Sequence, residues 1–461
     1  MFIGSSESRS QINNAAKAGA AYFLFLFVST TSILTLYYGR YSSASQVPLV
    51  ASISLVFGAA GYLLFGCTRF SEKYAVYAKY MTALACAIFL VSYAAAFFFG
   101  ARYAFPLFHI FYSMSYGYLG GLAHFAAFRL LCGNPYGGRA IGFGAALAVL
   151  VQQLLLRNMP EHKAVFLIVS FAAILLVLFV ERNAVSFPVS PPAVAAETRR
   201  TKRRRRTLLV QIALIACVLG AADGIIAQLR AAGVFTAAGN PRFFYGAGLV
   251  LAGLLADSGK RRYLAITTIS AMLPLSLAPL LMREAFLGSG YGLSVYYVFS
   301  GFFVIWLTLS FFDLAAQTEN PPLWAGMGRI VHAIVAGVFV FSISTFFHGM
   351  SSAALYIFCV FFSMLSVLFF FLNAEKDAAH DTETKTENCE HEFAVRYALT
   401  RRETDVLRHI VNSDGPLREI ALRIPMTERR LQKHLGNIYA KTGTTSRAAL
   451  VSRFYEQRSG S

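Results

Sequence analysis

Residues 253–264 read Gly253-Leu-Leu-Ala-Asp257-Ser-Gly259-Lys260-Arg261-Arg262-Tyr-Leu264. An aspartate, two glycines and three consecutive cations sit between two apolar runs, near 242–256 and 262–283. A hydrocarbon core about 30 Å thick takes roughly 20 apolar residues per helix, so the stretch reads as a tight polar turn between two membrane-crossing helices, the first of them short. Glycine lets the turn close. The aspartate is placed to cap a helix start or to pair with a basic residue across the loop.

Working outward, ten further apolar runs lie near 18–39, 47–67, 77–100, 104–131, 139–157, 163–181, 207–229, 291–316, 325–347 and 351–373. The chain is 461 residues long, 56% hydrophobic and 14% charged, against about 25% charged in a soluble domain. Glycine and alanine recur in these runs, as in GAAG at 58–61, and small residues allow the close helix packing that stands in for the hydrophobic drive in lipid. The six cysteines (67, 86, 132, 217, 359, 389) are scattered with no CxxC pair, so they read as small buried hydrophobes rather than disulfides or metal ligands. Residues 1–17 are polar, and the first apolar run is long enough to span rather than to be cleaved.

The net charge of +18 is unevenly placed. With a cytoplasmic N-terminus, the even-numbered loops carry Arg69, Lys73, Lys79, Arg139 and the 260–262 cations, the bias expected of cytoplasmic loops. The strongest block is RRTKRRRR at 199–206, closing a polar, proline-containing linker at 182–206. That linker divides the membrane domain (18–373) into halves at 18–181 and 207–373, and twelve spans return the C-terminus to the cytoplasm of a bacterial inner membrane.

The 253–264 stretch resembles the cytoplasmic loop signature of the major facilitator superfamily, G-x-L-A-D-x-G-R-R-x-x-L. The resemblance covers one loop. The equivalent place in the first half, GYLLFGCTRFSEKYAVY after Gly61, has no aspartate at the matching position. The resemblance implies two six-helix halves around a midplane cavity. Ionisable groups inside a bilayer are costly and usually functional, so a ligand cavity is expected to draw on Asp223, His109, Tyr112, Tyr116 and Gln152. Structural hydrogen bonding or aromatic packing is the competing reading for each. Asp313, His124 and His332 are further polar groups within the apolar runs.

Residues 374–392, AEKDAAHDTETKTENCEHE, are acidic and lack apolar periodicity, which predicts a flexible tether. The rest, 393–461, is polar and basic, with thirteen Lys or Arg against seven Asp or Glu over 392–461. Thr400 and Glu403 form a capping box, with Val406, Leu407 and Ile410 inward. Ile420 and Ala421 face inward on a second helix. Thr427 is placed to cap a third with Leu431, Leu435, Ile438 and Tyr439 inward, and Gly443 ends it. Ala448, Leu450 and Val451 supply a fourth.

These residues resemble the LuxR-type helix-turn-helix family through Leu399-Thr400, Arg402-Glu403, Val406-Leu407, Glu419-Ile420-Ala421, Leu431, Lys433-His434, Asn437-Ile438-Tyr439, Lys441, Gly443, Ser446-Arg447-Ala448 and Leu450. Thr427 replaces the usual Ser, and Arg430-Leu431 the usual Thr-Val. The resemblance implies that Thr427, Arg429, Arg430, Gln432, Lys433, Gly436 and Asn437 face double-stranded DNA, with Lys441 and Arg447 on phosphates and a homodimer on DNA. No catalytic residue, cofactor or metal is expected, since no nucleophile elbow, P-loop or metal spacing is present. The expectation is an all-α protein: a twelve-helix polytopic membrane bundle (6+6) followed by a small four-helix LuxR-type helix-turn-helix domain. Its expected role is a membrane-embedded transcription regulator that senses a small molecule. The alternative is a small-molecule transporter with an appended regulatory domain.

Overall fold

The computed structural model describes residues 6–40, 46–69, 77–99, 105–158, 162–184, 199–231, 241–258, 261–283, 289–345, 352–411, 416–424 and 426–460. These are helices joined by short turns, with no strand among the described residues. The chain divides into two units, Met1–Phe370 and Phe371–Ser461.

The first half of the first unit holds α1 (Ser6–Arg40), α2 (Gln46–Arg69), α3 (Ala78–Phe99), α4 (Phe105–Leu131), α5 (Gly137–Asn158) and α6 (His162–Ala184). The second half begins with α7 (Arg199–Ala231), α8 (Pro241–Ala256), α9 (Arg262–Ser270) and α10 (Met272–Arg283). It continues with α11 (Ser289–Ala315), α12 (Pro321–Thr345) and the apolar first part of α13 (Ser352–Arg396). Nine helices among the described residues are long and apolar enough to cross a bilayer. Leu84, Val91, Leu167, Phe171, Leu178, Ile357 and Phe361 point outward on them. Helices that are apolar on their outer faces as well as inside belong in lipid, and the protein is a multi-pass membrane protein.

Three sequence expectations shift in detail. The run at 262–283 is two helices meeting at Ala271, because Pro274 has no N–H to offer the carbonyl of residue 270. The basic block at 199–206 forms the first turns of α7 rather than the end of a linker, and the Arg205 guanidinium lies 5.1 Å from the Trp324 ring centroid of α12. Residues 374–392, expected as coil, continue α13 to Arg396. That stretch contains no proline or glycine and is rich in Ala, Glu and Lys, all strong helix formers.

The two halves meet along α2 with α12 and α5 with α8. On the second of these lines the backbones touch. A Cβ added at Gly253 would lie 2.6 Å from the Gly138 carbonyl oxygen, and one at Gly142 would lie 2.7 Å from that of Leu249. Side chains are excluded where the helices cross, which is why glycine occupies these positions.

The second unit packs the last residues of α13 with α14 (Arg401–Val411), α15 (Leu417–Arg423), α16 (Glu428–Thr442) and α17 (Arg447–Gly460). Phe393, Val406, Leu407, Ile410, Ile420, Leu431, Leu435, Ile438, Leu450 and Phe454 form its core. The expected inward residues are buried except Tyr439 and Val451, which are partly buried, and Ala448, which is exposed. Gly443 ends α16 in the left-handed region at φ 66°. Thr427 precedes α16 but makes no side-chain capping hydrogen bond.

The capping box forms: the Thr400 N–H donates to Glu403 Oε2 at 2.8 Å, and the Glu403 N–H donates to Thr400 Oγ1 at 3.4 Å. Lys441 Nζ adds a bond to the same carboxylate at 2.6 Å. Burial alone would raise the Glu403 carboxyl, but Lys441 and both Thr400 donors hold it below the ordinary carboxylate range. A depressed folded-state value means that the contribution is present above the ordinary carboxylate range and is lost as pH falls through the folded value. Glu403→Gln in the full chain is expected to weaken this unit by about 2 kcal/mol at pH 7. Amide exchange in α14 and α16, corrected for intrinsic rates, should show the wild-type advantage disappear in acid.

Candidate functional site

The interior of the first unit carries charge where an apolar core would be expected. Arg329 lies eight residues into α12, roughly 12 Å along its axis at about 1.5 Å per residue. Its Nη2 donates to the Tyr22 hydroxyl of α1 at 2.9 Å, and Tyr22 is hydrogen-bonded to Thr308 of α11 at 3.1 Å. The contact therefore joins the two halves. Tyr62 of α2 and Tyr245 of α8 also stand within electrostatic reach of the guanidinium. Arg329 Nε is buried and has no hydrogen-bond partner among the described residues.

His124 of α4 closes one side. Its Nδ1 lies 2.8 Å from the Gly120 carbonyl and 3.3 Å from the Tyr62 hydroxyl. The carbonyl only accepts, so Nδ1 carries the proton. The rings of Tyr22, Phe25, Tyr62 and Phe312 surround the imidazole at 5.2–6.3 Å. Arg329, His332 and Tyr245 are partly buried within the bundle.

A second cation, Arg242 at the start of α8, donates to Gln152 Oε1 of α5. Gln152 Nε2 in turn donates to Thr30 Oγ1 of α1 at 2.8 Å. Neither Arg242 nor Arg329 forms an ion pair with a carboxylate among the described residues. Asp223 of α7 accepts at Oδ1 from the Tyr296 hydroxyl at 2.6 Å. The rings of Tyr296, Tyr297 and Tyr245 follow one another at a tilt, with successive centroids 5.7 Å apart.

The expected cavity residues are thus divided. Asp223 and Gln152 belong to polar contacts in the interior of the bundle. His109, Tyr112 and Tyr116 share one face of α4 and bond to neighbouring helices: His109 Nε2 to Ser54 Oγ at 2.7 Å, Tyr112 to Ser32 at 2.5 Å, and Tyr116 to the Ser54 carbonyl at 2.6 Å. Arg329 is the residue that loop-centred charge counting passes over. A lone arginine inside the apolar run WAGMGRIVHAI was a readable signal.

Asp313 pairs with Arg261 at 2.5 Å. The neighbouring Asp257 receives the backbone N–H groups of Gly138 and Arg139 at 2.7 and 3.0 Å, so the loop aspartate caps the first turn of α5 from the opposite half. Arg139 adds an ion pair at 3.4 Å.

On α16 and its approach, Thr427, Arg429, Arg430, Gln432, Lys433, Gly436 and Asn437 are exposed, and Arg447 is partly buried. The Lys441 ammonium donates to Glu403 Oε2 at 2.6 Å and to the Ala398 carbonyl at 3.0 Å.

Three solved structures share the fold of the chain. The human organic anion transporter MFSD10 (TETRAN) matches at TM-score 0.57 and 16% identity over 77% of this chain and 99% of its own. The E. coli fucose:proton symporter FucP matches at 0.50 and 15%, over 78% and 98%. An auto-inhibited POT family peptide transporter matches at 0.50 and 14%, over 80% and 97%. No protein-family model matches the chain, and no curated protein does. The comparisons overturn the expectation of a LuxR-type transcription regulator, because the matched structures are transporters, and they lend no support to double-stranded DNA or a DNA-bound homodimer as partners. Among the described residues the protein is an all-α polytopic membrane bundle, and its fold is the one these transporter structures share.

Proposed function

We propose that this protein is a transporter that moves a small molecule across a bilayer without altering it. One observation carries this: inside the bundle the Arg329 guanidinium of one half bonds Tyr22 of the other, in a fold shared with transporters. A packed anchor would have no use for a buried guanidinium, whose desolvation costs several kcal/mol unless something compensates it. We further infer twelve crossings in two sets of six, with α9 and α10 together forming one. The basic residues at 199–206 and 260–262 support a cytoplasmic N-terminus and a cytoplasmic end to α13, in the inner membrane of a bacterium.

The test is import. Purified protein in liposomes is exposed to a small-molecule extract, and the internal contents are compared by mass spectrometry with those of protein-free liposomes. Saturable enrichment of specific solutes is expected. Equal contents in both preparations would remove the transport function.

A further inference from the structure

We propose, resting on the transport function above, that the transported molecule is an organic anion whose acidic group pairs with Arg329. Arg329 and Arg242 have neutral hydrogen-bond partners only, Tyr22 and Gln152. Among the described residues no carboxylate lies within ion-pair distance of either. A guanidinium presents five N–H donors in a fixed fork, and the single bond to Tyr22 leaves most of them unused. An uncompensated charge at this depth is expensive, and the bilayer offers no counter-ion. A carboxylate, phosphate or sulfonate on the substrate would supply one, with a short bidentate pair as the favoured geometry.

The surroundings select against other classes. A cationic substrate would meet two guanidinium groups at close range and would lose more than it gained from Asp223, which is already bonded to Tyr296. A neutral sugar would find hydroxyls, but it would leave Arg329 as unpaired as it is without a ligand. The partly buried rings of Tyr245 and Tyr297 offer an apolar surface with polar tips for the body of the molecule.

The location also couples binding to the two halves. Arg329 of the second half holds Tyr22 of the first, so an anion that draws the guanidinium away competes with a bond that joins them. A ligand shifts an equilibrium only through such differential contacts.

The test divides the extract by anion-exchange chromatography into an anionic fraction and a neutral-plus-cationic fraction. Each is offered to liposomes carrying wild type, Arg329→Gln or Arg329→Lys, after each protein is checked for a single monodisperse species. Expected is import from the anionic fraction alone, at least tenfold lower in Arg329→Gln and partly retained in Arg329→Lys, which keeps the charge but not the fork. Import from the neutral-plus-cationic fraction, or undiminished anion import by Arg329→Gln, would overturn the anion assignment while leaving transport standing. If Arg329→Gln does not fold, the fraction imported by wild type and the Arg329→Lys ratio decide. Import from neither fraction would remove transport itself, and the anion with it.

Discussion

Gly253→Leu is expected to abolish import while Gly246→Ala leaves it intact, although both residues lie on the same face of α8. At Gly253 the first added carbon already falls 2.6 Å from the Gly138 carbonyl oxygen and 3.0 Å from the Gly142 Cα. These are backbone atoms of α5 and have no rotamer with which to move aside. Leucine adds three further carbons in the same direction, so the two helices must separate. Overpacking commonly costs about 1–3 kcal/mol where side chains can adjust, and backbone against backbone sits above that range. At Gly246 the nearest atoms to an added Cβ are the Leu150 Cγ and Cδ2 at 3.5 Å, an ordinary contact with a side chain. Separation at Gly253 also pulls Asp257 away from the Gly138 and Arg139 N–H groups, so amide exchange at the start of α5 should accelerate in Gly253→Leu and not in Gly246→Ala. Equal import by the two variants would mean that close approach of α5 and α8 is not required for movement of the substrate.

Phe454→Ala has the largest expected effect on the second unit. The side chain is fully buried and packs against Phe393, with ring centroids 5.5 Å apart. Truncating a buried phenylalanine costs about 4 kcal/mol, a large share of the roughly 5–15 kcal/mol that holds a small domain folded. The unfolded population of this unit should rise about a thousandfold. Amide exchange across α14, α16 and α17 would report it, and protection in α1 to α12 should stay as in wild type, because the two units have separate cores. Loss of protection throughout the chain would show that the units do not unfold independently.

Much of this architecture was legible in the chain, because helix position in a membrane protein is written locally. The apolar runs located the helices, and the proline at 274 was visible even though its effect, a break at Ala271, was not drawn from it. The C-terminal core followed from spacing: Val406 with Ile410, and Leu431 with Leu435 and Ile438, repeat at three to four residues and are buried. The same local features misled on function. A capping box at Thr400, a glycine stop at Gly443 and exposed cations on one helix are what a small helical domain needs to fold and stay soluble. They do not specify what that domain contacts. The Lys441 ammonium pairs with Glu403 thirty-eight residues away, a pairing that spacing does not reveal.

The interior site was the least legible part. Asp223, Gln152 and His124 stood out as polar residues in apolar runs, but their partners come from distant helices. Tyr22 and Arg329 are 307 residues apart, and nothing in either neighbourhood names the other. The sequence allows Asp257 to cap a helix or to pair with a basic residue, while the helix it caps, α5 of the opposite half, emerges only when the bundle closes.

The central claim is that the two-halved bundle carries a solute through its polar interior. Import of a small-molecule extract into liposomes bearing the purified protein tests this most directly. Saturable enrichment of particular solutes over protein-free liposomes, lost in Gly253→Leu and kept in Gly246→Ala, is the result expected. Internal contents indistinguishable from protein-free liposomes at every extract concentration would contradict it.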